Sequence, residues 1–230
     1  MIFAGIVKTS LIDYPGKIAT VLFAPGCNFN CFYCHNRALI EDFNELLNQD
    51  EIDDYLIRRQ GLIDAVVISG GEPTLYNDIV PFFTKIRDLG YLTKLDTNGS
   101  NPSVIRRLIE ADVVDYYAVD YKAPKDRYQE ICGDEADAIK VLETINLLGQ
   151  FHQHFEVRTT VVPQLSLEDL VKMAQEMPCV PRYVLNPYRT PKKYQSCDQE
   201  RINVPPYSEN QITEFAETVK LYQPDVVLMF

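Results

Sequence analysis

The sequence predicts an α/β fold, an incomplete and open (β/α)6 barrel built on a parallel sheet. Short apolar runs recur at intervals of about 20–40 residues, with helical patterns between them, so strand and helix alternate about six times. Most runs are continuously apolar, which is typical of parallel strands covered on both faces. The 230 residues fall short of the roughly 250 of a closed eight-fold barrel. A doubly wound sheet is the alternative.

The elements follow from these runs and from their boundary residues. The strand candidates are residues 18–23, 65–69, 91–96, 115–119, 155–162, 182–186 and 226–229. The helix candidates are residues 78–89, 102–110, 135–148, a helix opening at Ser166, and residues 208–221. Asn101 before Pro102 is a favourable helix start, and Ser166 with Asp169 forms a capping-box pattern. The longest loop is expected over residues 186–206.

Composition and charge exclude several classes of protein. The length predicts a single domain over residues 1–230. The 22 basic and 33 acidic residues give a net charge of −11, which argues against binding to a nucleic-acid backbone. No apolar run reaches the roughly 18 residues of a membrane-spanning helix. The first residues lack the basic start and apolar stretch of a secretory signal, so we expect a cytoplasmic protein with no membrane partner.

Three of the six cysteines lie within eight positions, directly after the first predicted strand. Cys27, Cys31 and Cys34 have the spacing C-x3-C-x2-C, and three thiolates on one short loop can hold a soft metal centre. Three ligands leave one iron of a 4Fe–4S cluster open, whereas an electron-carrier ferredoxin normally uses four cysteines. The sequence therefore predicts a three-cysteine iron–sulfur site.

A zinc site and unligated buried cysteines are the alternatives. Zinc would need a fourth ligand, commonly one of a second pair. His35 directly follows Cys34 and is badly placed for this role, because adjacent side chains diverge. Cys132, Cys179 and Cys197 are scattered along the chain, and we expect them to be small core residues or incidental thiols.

Polar residues also follow the later predicted strands, at the strand ends where a barrel places its active site. The sequence GGEP over residues 70–73 follows one strand, and DTNG over residues 96–99 follows the next. Asp120 and Lys122 end a third strand, and Arg158 lies in a fourth. Each feature has a structural alternative: a turn, a helix cap, an ion pair of Asp120 with Lys122, or an arginine that balances a carboxylate.

The cysteine loop, with Tyr33 before its third cysteine and GGEP about 40 residues later, resembles the radical S-adenosylmethionine (SAM) superfamily. The resemblance implies a radical SAM barrel. It also implies a 4Fe–4S cluster held by Cys27, Cys31 and Cys34, with SAM bound at the open iron. One electron from the reduced cluster would cleave SAM to methionine and a 5′-deoxyadenosyl radical.

The resemblance further implies which residues bind SAM and a monovalent cation. The residues carried over to SAM are Tyr33, Asn36, Gly70, Gly71, Glu72, Lys122 and Arg158. Asp96, Thr97 and Asp120 would be oxygen ligands of the cation. The chain departs from the pattern at Arg189, where a relative has a histidine after Pro-Tyr.

Within the superfamily, the opening segment TSLIDYPG over residues 9–16 resembles activating enzymes of glycyl radical enzymes, most closely those of anaerobic ribonucleoside-triphosphate reductase. The resemblance implies a glycyl radical enzyme as protein partner and a flavodoxin or ferredoxin as electron donor. A short open barrel would let the partner's glycine loop reach the radical. Two alternatives remain: a small radical SAM enzyme acting on a free metabolite, such as a 7-deazaguanine-type synthase, and a non-catalytic iron–sulfur electron carrier.

Overall fold

Strands and helices alternate along the chain in the computed structural model, which describes residues 1–41 and 45–230. The strands are β1 Gly5–Ser10, β2 Ala19–Ala24, β3 Ala65–Gly70, β4 Leu92–Thr97, β5 Tyr116–Asp120, β6 Phe155–Val161, β7 Tyr183–Pro187 and β8 Val226–Leu228. The helices are α1 Arg37–Glu41, α2 Gln49–Arg59, α3 Ile79–Asp88, α4 Pro102–Glu110, α5 Tyr128–Cys132, α6 Ala138–Gln150, α7 Leu167–Glu176, α8 Gln199–Ile202 and α9 Glu209–Val219. Short 3₁₀ turns cover Pro73–Leu75, Lys125–Arg127 and Ser196–Asp198.

The strands are hydrogen-bonded in chain order from β1 to β8. β1 runs antiparallel to β2, with an irregularity between Val7 and Ser10. The pairs β2–β3, β3–β4, β6–β7 and β7–β8 are parallel. A doubly wound sheet reverses its strand order part-way, so the unbroken order favours the barrel-like alternative over the doubly wound one.

All seven predicted strands are present, and their observed bounds differ from the predicted ones by at most one residue. The helix predicted over residues 102–110 is α4, and capping boxes start α7 at Ser166 and α9 at Ser208. β1 was not predicted. Half of its residues are exposed and it lies at the edge of the sheet, so it lacks the continuous apolar run of the buried strands. The predicted loop over residues 186–206 contains a 3₁₀ turn and the short α8.

The chain divides into two compact units. The first comprises residues 1–27, 38–97 and 103–117, and the second residues 28–37, 98–102 and 118–230. In the first unit, alternate residues of β2 and β3 pack with Tyr14 in one buried cluster. In the second, α6 buries Val141, Ile145 and Leu148 along one face. None of the helices in the described part of the chain combines the length and the apolar character needed to cross a membrane.

Candidate functional site

The cysteine loop connects β2 to α1. Cys31 is buried, Cys27 and Cys34 are half-buried, and none of the three forms a disulfide bond. The backbone N–H of Cys34 donates a hydrogen bond to the carbonyl of Cys31 at 3.2 Å, which folds the last part of the loop into a turn. Cys27 ends the first segment of the first unit, while Cys31 and Cys34 belong to the second unit.

Within the second unit, buried polar contacts fix the loop around Cys31. The guanidinium of Arg37 is buried and donates one hydrogen bond to the carbonyl of Cys31 at 2.7 Å and another to the side chain of Asn30. The backbone N–H of Asn30 donates to the carbonyl of Cys132 at 2.8 Å. Gly133 follows α5 with a φ of +94°, and a Cβ there would lie 2.9 Å from the Cβ of Asn30. The loop is therefore tied to the end of α5.

Cys132 is a buried core residue, as expected, and it also lies beside Cys31. Its thiol is fully buried and donates a hydrogen bond to Cys31, which together with the positive charges of Lys122 and Arg37 lowers the pKa of Cys31. Burial raises the pKa of Cys132 itself and also that of Cys34. Because a thiolate is the metal-binding form of cysteine, these surroundings favour the ligand state at Cys31.

In residues 1–41 and 45–230, no three or more side chains of His, Cys, Asp or Glu are arranged so that they could hold a metal ion. The donor chemistry of the loop nevertheless fits an iron–sulfur cluster. Three cysteines without disulfide partners lie within eight residues, and cationic side chains help to lower the pKa of Cys31 and partly offset the rise that burial causes in the pKa of Cys34.

Aromatic rings surround the second half of the loop. Phe29, Phe32 and Tyr33 are all buried. The guanidinium of Arg201 lies 3.9 Å from the centre of the Phe32 ring, and Tyr33 makes an edge contact with Tyr188. The buried hydroxyl of Tyr33 has no hydrogen-bond partner among the described residues, and burial raises its pKa well above the usual value. These rings form an apolar shield, in which the Tyr33 hydroxyl is available to pair with a ligand.

The GGEP segment packs against the start of the loop, inside the first unit. A Cβ on Gly71 would lie 1.8 Å from the carbonyl oxygen of Gly26, and one on Gly70 would lie 2.4 Å from that of Ala24. The N–H of Gly71 donates to Ala24 and the N–H of Glu72 to Gly26, each at 2.8 Å. Only glycine allows this approach, so the segment fixes the backbone just before Cys27.

The carboxylate of Glu72 is fully buried and braces the fold internally. One of its oxygens accepts hydrogen bonds from the N–H and hydroxyl of Thr74, at 3.0 and 2.6 Å, and from the hydroxyl of Thr97 at 2.8 Å. Glu72 thereby caps the 3₁₀ turn that follows it and joins the end of β3 to the end of β4. The predicted turn is thus observed, with the glutamate as its cap.

At the end of β4, Asp96 already has a cationic partner. The ammonium of Lys94, two residues earlier, donates a hydrogen bond to Asp96 at 2.7 Å. Lys94 was not among the residues predicted from the sequence. The signal that could have found it is its position inside an apolar strand, because a buried lysine needs a partner of opposite charge.

In the second unit, Asp120 at the end of β5 forms ion pairs with Lys122 and Arg158, each at 2.9 Å. Burial alone would raise the pKa of the Asp120 carboxyl, but the charges and hydrogen bonds of Arg158 and Lys122 lower it to about 2. Both structural alternatives stated for these residues are therefore observed. Lys122 also lies in the electrostatic environment of Cys31 and Tyr33. The second unit thus brings together with Cys31 four of the predicted residues: Tyr33, Asp120, Lys122 and Arg158.

Two further residues lie beside the last cysteine. The backbone N–H of Asn36 hydrogen-bonds the thiol of Cys34. His35 donates a hydrogen bond to the backbone of Arg189, while burial lowers the pKa of the His35 imidazole. Arg189, which replaces a histidine of the resembling family, therefore contacts the loop through its main chain. Arg37 and Cys132 were missed as supporting residues, since no pattern in the sequence links them to the cysteines.

Comparison with known proteins gives the family. The radical SAM superfamily model matches residues 21–177, about two thirds of the chain. The chain belongs to the radical SAM superfamily. It is 35% identical over 234 residues to a Methanocaldococcus jannaschii protein provisionally named a glycyl-radical enzyme activating enzyme, covering 98% of this chain and 94% of that protein.

A second relative and a solved structure extend the comparison. The chain is 29% identical over 196 residues to a pyruvate formate-lyase-activating enzyme of Listeria monocytogenes, covering 78% of each. The structure of TYW1 with a lysine–pyruvate adduct matches 89% of this chain and 74% of its own, with a TM-score of 0.64 and 17% identity. At that identity the likeness concerns the fold alone, and it confirms the predicted class, the partial barrel of radical SAM enzymes.

Proposed function

We propose that this chain activates a glycyl radical enzyme. The observation that carries the proposal is the relationship over 98% of the chain to a protein provisionally named as such an activating enzyme. The cysteine loop points to radical SAM chemistry in general, whereas this relationship points to the substrate. In the proposal, residues 1–230 form one radical SAM domain, and anaerobic ribonucleotide reductase is the first partner to test.

The three loop cysteines would hold the 4Fe–4S cluster, with SAM bound beside it. When bound and reduced, the cluster would supply one electron for the cleavage of SAM to methionine and a 5′-deoxyadenosyl radical. Cys27, Cys31 and Cys34 would act as thiolates, and the charges of Lys122 and Arg37 would offset part of the negative charge at Cys31 and Cys34. Fixed contacts at both ends of the loop keep the thiolates in place, at Gly71 in the first unit and at Asn30 in the second.

The SAM site would be formed by a set of residues that offer backbone, cationic and aromatic groups. The set consists of Tyr33, Asn36, Gly70, Gly71, Glu72, Lys122 and Arg158. The glycines let a ligand approach the main chain, while Lys122 and Arg158 suit its carboxylate. The buried rings of Phe32 and Tyr33 exclude solvent, which limits side reactions of a radical.

The partner's glycine would lose a hydrogen atom from its Cα to the SAM-derived radical, which gives 5′-deoxyadenosine and a backbone radical on the partner. One electron is consumed in each event, and a flavodoxin or ferredoxin is the proposed donor. None of the six cysteines forms a disulfide bond, which fits the reducing cytoplasm that we propose as the location.

Anaerobic reconstitution with iron and sulfide, followed by SAM and dithionite, tests the reaction. We expect 5′-deoxyadenosine from the wild type and from Cys197→Ala, a control at an exposed free thiol, and none from Cys31→Ala. Adding anaerobic ribonucleotide reductase should produce a glycyl doublet in electron paramagnetic resonance. No 5′-deoxyadenosine would favour the electron carrier. 5′-Deoxyadenosine without a doublet on any glycyl radical enzyme, together with turnover of a small molecule, would favour the metabolite enzyme.

A further inference from the structure

The buried ion pair on β4 bears on the cation that the sequence predicts. Lys94 and Asp96 are two residues apart on one strand, so their side chains point to the same face of the sheet. The ammonium of Lys94 lies 2.7 Å from a carboxylate oxygen of Asp96. The side chains are only 2% and 10% exposed. The ring of Tyr116 has its centre 6.0 Å from the same ammonium, at the outer limit of a cation–π contact.

Electrostatics favour this pairing for both groups. A buried carboxylate is costly unless a positive charge or several hydrogen bonds compensate it, and the same holds for a buried ammonium. An ammonium carries the single positive charge of K⁺ and is of similar size. Beside Asp96, Lys94 therefore provides what a bound monovalent cation would provide.

The other predicted cation ligands also have protein partners. Thr97, in the same unit as Asp96, donates its hydroxyl to Glu72 at 2.8 Å. Asp120, considered within its own unit, pairs with Lys122 and Arg158. Neither carboxylate lacks a counter-charge, and a cation at either one would be repelled by an ammonium or guanidinium already in contact. The donor set therefore does not fit a monovalent metal ion.

We infer that the ammonium of Lys94 is a built-in counterion in place of the monovalent cation, and that this chain functions without binding Na⁺ or K⁺. The inference rests on the proposed function only in that the cation belongs to the proposed SAM site. Its main test needs neither cluster nor SAM, so its failure and that of the proposed function can be distinguished.

The first measurement uses the cofactor-free wild-type protein. Titration with Tl⁺, a K⁺ analogue observed by ²⁰⁵Tl nuclear magnetic resonance, should reveal no saturable site. The melting temperature should be equal in potassium, sodium and choline chloride at one ionic strength. Saturable Tl⁺ binding, or a melting temperature higher in potassium or sodium than in choline, would overturn the inference.

The second measurement uses Lys94→Met, which keeps the length of the side chain and removes its charge. Asp96 is then a buried carboxylate without its ammonium, and we expect the melting temperature in choline chloride to fall by roughly 6–20 °C. Potassium chloride should restore part of this loss and Tl⁺ should bind. The matched control is Lys85→Met, which removes a partly exposed ion pair with Asp53 in the same unit and should show no cation effect.

Two results in this second experiment decide against the inference: no recovery of Lys94→Met in potassium, or the same recovery in Lys85→Met. If Lys94→Met does not fold in any salt, the wild-type titration decides alone. In the reconstituted enzyme, wild-type 5′-deoxyadenosine formation should be equal in potassium and choline. A requirement for potassium there would also contradict the inference.

Discussion

At the scale of single residues, two neighbouring buried thiols have different proposed roles. Cys31 lies in the spaced triplet, and Cys132, 101 positions later, donates a hydrogen bond to it. Both are buried, so exposure does not distinguish ligand from support. What distinguishes them is the loop spacing, which Cys31 shares with Cys27 and Cys34 and Cys132 does not.

This difference predicts opposite outcomes for two alanine variants. Cys31→Ala should lose the cluster, because only two of the three ligand thiolates remain in the loop. Cys132→Ala should retain about four iron atoms per chain after anaerobic reconstitution, since it removes a hydrogen bond and no ligand. Iron and sulfide analysis with the visible absorption spectrum provides the measurement. Loss of iron in both variants would make Cys132 a ligand and refute the three-cysteine assignment.

The ion pairs of Asp120 predict a dependence of stability on pH. Its pKa in the folded protein, about 2, lies below the ordinary value, so the stabilisation is complete above about pH 4 and is lost as pH falls through about 2. Asp120→Asn should lower the free energy of unfolding at pH 6 by up to about 2 kcal/mol. The difference in the free energy of unfolding between Asp120→Asn and the wild type should become smaller as pH falls below about 4. Urea unfolding of the cofactor-free protein measures it, and a difference independent of pH would contradict the ion-pair origin.

At the scale of elements, the turn after β3 determines how the cysteine loop begins. Gly70 and Gly71 press against the main chain of Ala24 and Gly26, and Glu72 caps the following 3₁₀ turn. The close approach depends on the lack of side chains at both glycines, while the cap depends on a carboxylate. The strand, the turn and the loop are therefore mechanically coupled, and a change at the turn moves the main chain next to Cys27.

Two glycine variants test the importance of this approach. Gly71→Ala puts a methyl group 1.8 Å from the carbonyl oxygen of Gly26, so the backbone must shift, at a cost of about 3 kcal/mol in stability, with reduced cluster incorporation. Gly149→Ala is the matched control in α6, where a methyl group meets nothing within 4 Å. It should stabilise the protein by about 0.5–1 kcal/mol. Chemical unfolding and iron content measure both, and a normal iron content in Gly71→Ala would contradict the positioning role.

At the scale of the whole molecule, the net charge of −11 affects the rate at which a partner protein associates. The charge repels acidic surfaces and attracts basic ones over distances set by the salt concentration, about 10 Å at 0.1 M. An enzyme that acts on a glycine of another protein must form an encounter complex before each reaction. A basic surface on the proposed partner would speed that encounter.

Salt should therefore slow the activation of the partner. We expect the rate of glycyl radical formation at low partner concentration to fall roughly tenfold between low and high salt. Choline chloride is the salt to use, because it separates screening from any specific effect of potassium. The formation of 5′-deoxyadenosine without a partner serves as the control and should change little. An activation rate that does not fall with salt would contradict a basic docking surface.

The sequence itself determined the strands, most helices and the cysteine triplet, because each is encoded within one short stretch of chain. Continuous apolar runs specify buried parallel strands, serine caps specify the starts of α7 and α9, and cysteine spacing specifies a soft metal centre. β1 escaped prediction, since an exposed edge strand carries no such run.

Only the tertiary structure decided which partner each polar side chain takes. Thr97 meets Glu72 across 25 positions, Arg158 meets Asp120 across 38, and Cys132 reaches Cys31 from another element. Lys94 and Asp96 are close in sequence, yet a two-residue spacing on a strand brings them together only if that face is buried. Burial removes water as a competing partner, so these charged groups pair with each other. That is why a carboxylate predicted to bind a metal ion was found paired with a lysine.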